Sequence, residues 1–189
     1  MHVGLFFGSF NPIHKGHEAI ALYMLRFFDE IWLVVSPQNP FKINQKLVPV
    51  ELRLEWAKAI FENNKYIQIS EVELQLPLPS FTYQTLEHLQ TQYPSNTFSL
   101  IMGADNLRKF YKWKNYKDII HQYQVYIYNR VAKSNYLLLH DNIVYTHAPL
   151  LNVSSTIIRE SIYSGGEIEK LIDEAIVDSV KKYYNGATP

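Results

Sequence analysis

The apolar positions fall into short runs separated by longer segments with helical spacing. Val3 to Phe7 is an apolar run that ends at Gly8, the pattern of a buried strand. From Gly16 to Phe28 the apolar residues Ala19, Ile20, Tyr23, Met24 and Phe27 recur at helical spacing. Ile31 to Val35 predicts a second strand, stopped by Ser36-Pro37, and a loop containing Pro40 runs from Gln38 to Val48. Pro49 or Val50 opens a helix that continues to about Phe61 and stops at Asn63-Asn64. Tyr66 to Val72 reads as a strand, Leu76 to Ser80 as a Pro-rich loop and Thr82 to Gln92 as a helix. A strand from Phe98 to Met102 closes on Gly103 and leads into a short helical region at Asn106 to Ile120. Strands follow at Val125 to Tyr128 and Ile143 to Thr146. Helices at Ser155 to Tyr163 and Ile168 to Tyr184, separated by Gly165-Gly166, end the pattern.

Strands alternating with helices predict an α/β fold, a doubly wound, Rossmann-like parallel sheet with helices on both faces and helices at the C-terminus. The pattern shows no repeat, low-complexity tract or linker, so residues 1–189 read as a single domain. In such a sheet ligands bind beyond the carboxyl ends of the strands, at the switch point, so the strand-to-helix loops are where chemistry is expected.

Charge and composition narrow the field. Lys and Arg together number 18, as do Asp and Glu. A balance of zero lacks the basic field that a nucleic-acid polymer or an anionic membrane would require. The chain has no Cys, which removes disulfides, thiolate catalysis and Cys-based metal sites. The first residues lack the pattern of a signal peptide, and no apolar run is long enough to span a membrane. A cytoplasmic enzyme is the expectation. The aromatic supply would permit a homo-oligomer.

Three loops carry candidate chemistry. The first, Gly8-Ser9-Phe10-Asn11-Pro12-Ile13-His14-Lys15-Gly16-His17, joins the first strand to the first helix. Gly8 would let the backbone turn sharply and approach a ligand. The helix start offers unpaired N–H groups to an anion. His14 and His17, three apart, would share a face, with Gly16 leaving room between them, and two imidazoles aimed at a phosphate can donate hydrogen bonds as charge builds. A pair of surface histidines and a zinc pair are the competing readings, and no third zinc ligand stands nearby. The last loop is Asn152-Val153-Ser154-Ser155-Thr156-Ile157-Ile158-Arg159. Ser154 or Ser155 suits an N-cap, the hydroxyls of Ser155 and Thr156 can hold a phosphate, and Arg159 lies about one turn on. A capped surface helix with an exposed Arg is the alternative.

The first loop resembles the N-terminal signature of the HxGH nucleotidyltransferases, and the last resembles their second signature, Ile-Ser-Ser-Thr-x-Ile-Arg, with Val153 in the Ile position. The resemblance covers nearly the whole chain and implies that His14 and His17 bind the phosphates of ATP. In the middle, Pro79-Ser80-Phe81-Thr82-Tyr83-Gln84-Thr85-Leu86 and Met102-Gly103-Ala104-Asp105-Asn106-Leu107 with Lys112-Trp113-Lys114 look like segments of the bacterial nicotinate mononucleotide adenylyltransferases. That likeness implies that Trp113 stacks on a pyridine ring and that backbone around Thr82 holds the ring carboxylate. Trp is the best face for a flat cationic ring. Asp105 could accept from a ribose or simply start a helix, and Trp113 could be a partly buried core aromatic.

The resemblance therefore implies catalytic roles for His14, His17 and Arg159. It implies an ATP site of Gly8, Ser9, Phe10, His14, His17, Gly103, Asp105, Ser154, Ser155, Thr156 and Arg159. The acceptor site would comprise Asn39, Lys42, Thr82, Trp113, Lys114 and Arg130. Lys42 lies in an Asn39-Pro40-Phe41-Lys42 element resembling the family's Pro-Pro-His-Lys/Arg, with Phe41 in place of His. Arg130 precedes Val131 where Pro is usual, Lys114 stands where Tyr is common, and Asn11 replaces a frequent Asp. The implied reaction joins ATP to nicotinate mononucleotide, with Mg²⁺ bound through ATP oxygens and no protein-held metal. The rivals are a related enzyme with nicotinamide mononucleotide or phosphopantetheine as acceptor, a cytidylyltransferase, and a nucleotide sensor without turnover. A plain dinucleotide binder ranks last, because no G-x-G-x-x-G follows the first strand.

Overall fold

The computed structural model describes residues 1–38, 47–128, 138–149 and 151–186. Six strands form one sheet: β1 His2–Gly8, β2 Glu30–Val35, β3 Ile67–Ser70, β4 Thr97–Gly103, β5 Gln124–Tyr128 and β6 Ile143–Thr146. Every pairing is parallel, and the order across the sheet is β3-β2-β1-β4-β5-β6. The helices are α1 Lys15–Met24, α2 Val50–Phe61, α3 Thr82–Gln92, α4 Ala104–Leu107, α5 Tyr116–Gln122, α6 Ser155–Tyr163 and α7 Glu174–Gly186. This is the doubly wound order, and its direction reverses between β1 and β4.

Both faces of the sheet are covered. Phe6, Ile31, Leu33 and Ile101 pack with Met24, Leu54, Trp56, Ile158 and Val180 from α1, α2, α6 and α7. Leu5, Val34, Leu100 and Val125 face the other way, toward Leu86, Leu89, Leu107 and Ile119 from α3, α4 and α5. Consecutive residues such as Leu5 and Phe6 thus point into different layers, which is why these strands read as unbroken apolar runs.

Several predicted boundaries move. The first helix ends at Met24 rather than Phe28, and short turns (Arg26 N–H to Tyr23 O, Phe27 N–H to Met24 O) bring the chain round to β2. The predicted strand Tyr66 to Val72 contracts to Ile67–Ser70 and gives way to a 3₁₀ turn at Val72–Gln75, which buries Glu73. The region Asn106 to Ile120 divides into α4, a 3₁₀ turn at Phe110–Lys112 and α5, interrupted at Asn115 with φ 55°. The last helix starts at Glu174, not Ile168. Ile168 and Ile172 are fully buried and four apart, hence the helical appearance, but their segment forms a turn, and Asp173 Oδ1 accepts from Ala175 N–H. Leu171 O accepts the Lys15 N–H, so that turn buttresses the start of α1.

Candidate active site

The start of α1 is organised around two histidines. His14 is extended (φ −153°, ψ 168°) and caps the helix, with its Nδ1 accepting from His17 N–H at 3.3 Å. A ring nitrogen that accepts carries no proton, so in the neutral ring the proton sits on Nε2. His14 and His17 therefore occupy the N-cap and the first turn, and their rings stack at 3.7 Å between centroids with 25° between planes. Both are buried, and the ring of Phe10 stands edge-on to His17 at 5.0 Å.

The two glycines act differently from the sequence expectation. The positive φ falls on Phe10 (44°), not on Gly8. A Cβ on Gly8 would lie 2.8 Å from the Phe10 ring, so Gly8 makes room for that ring rather than for a ligand. A Cβ on Gly16 would stand 3.0 Å from both the His14 ring and Val153 Cγ1. Gly16 thus permits the first and last loops to dock closely.

That docking is held by hydrogen bonds across the chain's length. Ser154 caps α6, its Oγ accepting from Ile157 N–H. Ser155 Oγ donates to Pro12 O at 2.9 Å, and Arg159 donates to Asn11 O at 2.7 Å and to Thr156 Oγ1 at 3.2 Å. The starts of α1 and α6 are thereby fixed side by side, two helix N-termini near one place. Asn11 is buried, and its Oδ1 accepts from Val48 N–H at 3.0 Å. An acceptor oxygen is what this contact uses, so Asn serves where a carboxylate would also serve.

A cleft of about 360 Å³ opens where the sheet order reverses. Of the proposed ATP-site residues, Gly8, Ser9, Phe10, His14, His17, Gly103, Asp105, Ser154, Ser155, Thr156 and Arg159 all line it. Phe10 is almost wholly buried, so its side chain is a wall behind His17. Asp105 folds back over Gly103, in space that a Cβ there would take. Trp113 lines the same cleft, its ring 5.5 Å from Phe110. Thr82 and Lys114 are not among the lining residues. Lys114 Nζ sits 4.6 Å above the ring of Phe81, so the Thr82 segment meets the Trp113 segment one residue away from each. Asn39, Lys42 and Arg130, with Phe41 and Val131, lie outside the described residues. A larger, more open hollow of about 530 Å³ lies around Trp32, Lys58, Glu71 and Tyr93, away from both loops.

Sequence reasoning missed Arg53. Its side chain is 1% exposed and donates to four backbone carbonyls: Val48, Ser9, Ser36 and Pro37. Burial pulls its pKa down, with Glu51 and Tyr184 opposing, but a guanidinium still carries its charge at any working pH. Arg53 ties the loop after β1 to the loop after β2. The signal was an Arg on the apolar stripe Val50, Leu54, Ala57, Phe61. Arg53→Met should lower unfolding free energy by about 3 kcal/mol, because four carbonyls lose their donors in a buried site. Urea denaturation measures this, and a loss below about 1 kcal/mol would contradict the role. Arg53→Lys should restore little, since one ammonium cannot span four separate acceptors.

The cytidylyltransferase-like family model matches residues 5–161, a span that includes both loops at the switch-point cleft, so the chain is of the nucleotidyltransferase class. Across nearly its full length the chain is similar to "Probable nicotinate-nucleotide adenylyltransferase" proteins. That of Cytophaga hutchinsonii is 43% identical over 98% of this chain and 99% of the relative. That of Flavobacterium johnsoniae is 42% identical over 91% and 92%. The chain belongs to the nicotinate-nucleotide adenylyltransferase family within the cytidylyltransferase-like nucleotidyltransferases. The fold matches that of Plasmodium falciparum nicotinic acid mononucleotide adenylyltransferase complexed with NaAD, with a TM-score of 0.79 at 20% identity, covering 97% of each chain. Among the described residues no helix is long and apolar enough to cross a membrane.

Proposed function

We infer that the chain transfers the adenylyl group of ATP to nicotinate mononucleotide, giving nicotinate adenine dinucleotide and pyrophosphate. The observation that carries this reading is the docking of the two signature loops, through Ser155 to Pro12 O and Arg159 to Asn11 O, around one cleft that Trp113 also lines. An oxygen of the mononucleotide phosphate attacks the α-phosphorus of ATP in line. One P–O bond forms, the bond to the β-phosphate bridge breaks, and pyrophosphate leaves with the electron pair. The attacking phosphate is already an anion, so no general base is required. The protein's contribution is position and charge stabilisation.

In this reading His14 and His17 donate to the ATP phosphates, and Arg159 with the α6 start holds their far end. Ser154, Ser155 and Thr156 complete that cradle, while Gly103 and Asp105 border the nucleoside. Trp113 is the stacking face for the pyridine ring. Thr82, Lys114, Asn39, Lys42 and Arg130 belong to the acceptor side. Among the described residues lining the cleft Asp105 is the single carboxylate, and no group of three His, Cys, Asp or Glu stands together. That donor set fits Mg²⁺ carried on ATP oxygens, which would neutralise phosphate charge when bound. The chain acts as one domain in the cytoplasm, on small nucleotides.

Pyrophosphate release from ATP and Mg²⁺ should be strong with nicotinate mononucleotide and weak with nicotinamide mononucleotide or phosphopantetheine. Release with only another acceptor would overturn the assigned substrate. ATP binding with no release on any acceptor would favour a sensor.

A further inference from the structure

One buried carboxyl has no use in the reaction. Glu73, in the 3₁₀ turn after β3, is 1% exposed. Its Oε1 accepts from Thr85 Oγ1 at 2.9 Å, and the hydroxyls of Ser36 and Ser80 face the same carboxyl. Ser36, Ser80 and Thr85 are buried and come from three places: the end of β2, the loop before α3, and α3 itself. Ser80 and Thr85 bracket Thr82. Ser36 also gives its carbonyl to Arg53, so it is fixed on its backbone side as well.

We propose that Glu73 is a positioning residue for the acceptor pocket, joining the Ser80–Thr85 segment to the end of β2. The inference rests on the reading that the segment around Thr82 receives the pyridine ring. A buried carboxyl costs least when neutral, and burial raises the pKa of Glu73 above the usual carboxylate range, opposed by the three hydroxyls. A glutamine amide in its place keeps the shape and the oxygen that accepts from Thr85 Oγ1. The segment it holds meets the Trp113 segment through Phe81, whose ring lies 4.6 Å from Lys114 Nζ.

The test is steady-state pyrophosphate release by Glu73→Ala, Glu73→Gln and Thr85→Val, with KM read separately for each substrate. Glu73→Ala should raise KM for nicotinate mononucleotide about ten-fold and leave KM for ATP within about two-fold. Glu73→Gln should return the acceptor KM to near the unaltered value, and Thr85→Val should raise it in the same selective way. Equal rises in both KM values, no rise in either, or a Gln variant no better than Ala would overturn the proposal. Should Glu73→Ala not fold, the Gln and Val variants carry the same split. If the unaltered protein prefers another acceptor, the substrate reading fails and the split is read on that acceptor. If no acceptor supports release, both fall.

Discussion

His17→Ala should lower kcat by about 10³-fold while KM for nicotinate mononucleotide changes less than about three-fold, the pattern of a donor whose contribution appears as charge develops. His17 stands in the first turn of α1 with its ring against His14 on one side and Phe10 on the other. Its position is set by the helix and its orientation by those two rings, so little reorganisation is needed when phosphate charge builds. In the proposed reading the acceptor ring stacks on Trp113 and the imidazoles meet the ATP phosphates, so acceptor binding should depend little on His17. Initial-rate kinetics measure the split, and a thermal melt checks that the variant folds. His17→Asn, which keeps an N–H donor on a shorter side chain, should recover part of the rate. A variant with near-normal kcat would remove His17 from the chemistry, and one with a raised acceptor KM at unchanged kcat would move it to ground-state binding.

Much of this site was legible because its parts lie at the ends of strands. The run Val3 to Phe7 reaches Gly8, and the segment ending at Gly103 is also apolar throughout. Parallel strands buried on both faces leave little room for polar residues, so the polar clusters at their carboxyl ends stood out. The family resemblance then pointed to His14, His17 and the Ser154 to Arg159 segment, which line one cleft. What spacing could not convey was how the two loops meet. Gly16 was read as space for a ligand, whereas Val153, 137 positions away, occupies its flank. The contact between Arg159 and Asn11 O has the same origin: nothing local to either residue announces the other.

Boundaries failed where tertiary contacts outweighed local pattern. The spacing of Ile168 and Ile172 matches a helix, but both side chains reach the core from a turn while Leu171 O accepts the Lys15 N–H. Between Tyr66 and Val72 the apolar residues continue beyond Ser70, where β3 stops and the chain tightens to bury Glu73. Arg53 and Glu73 share one history. Each is a charged residue type in an apolar setting, a placement that is costly unless the group finds partners, and the partners lie away in sequence: four carbonyls for Arg53 and the Thr85 hydroxyl for Glu73 Oε1.

Arg159→Ala should lower kcat/KM for ATP by about 10²-fold or more, with much of the loss in KM for ATP. The guanidinium presents five donors. In the structure it uses them on Asn11 O and on Thr156 Oγ1, so one side chain ties the α6 start to the loop that carries the histidines. Its remaining donors border the cleft. Removing it takes away a positive charge that lines the cleft and one of the two side-chain contacts that dock the loops, leaving Ser155 to Pro12 O. Arg159→Lys separates these effects. A Lys retains the charge but cannot hold Asn11 O, Thr156 Oγ1 and a phosphate together, so it should restore KM for ATP more than it restores kcat. Equal recovery of both would mean that charge alone matters here. No loss in the Ala variant would mean that the helix starts hold the phosphates without the side chain.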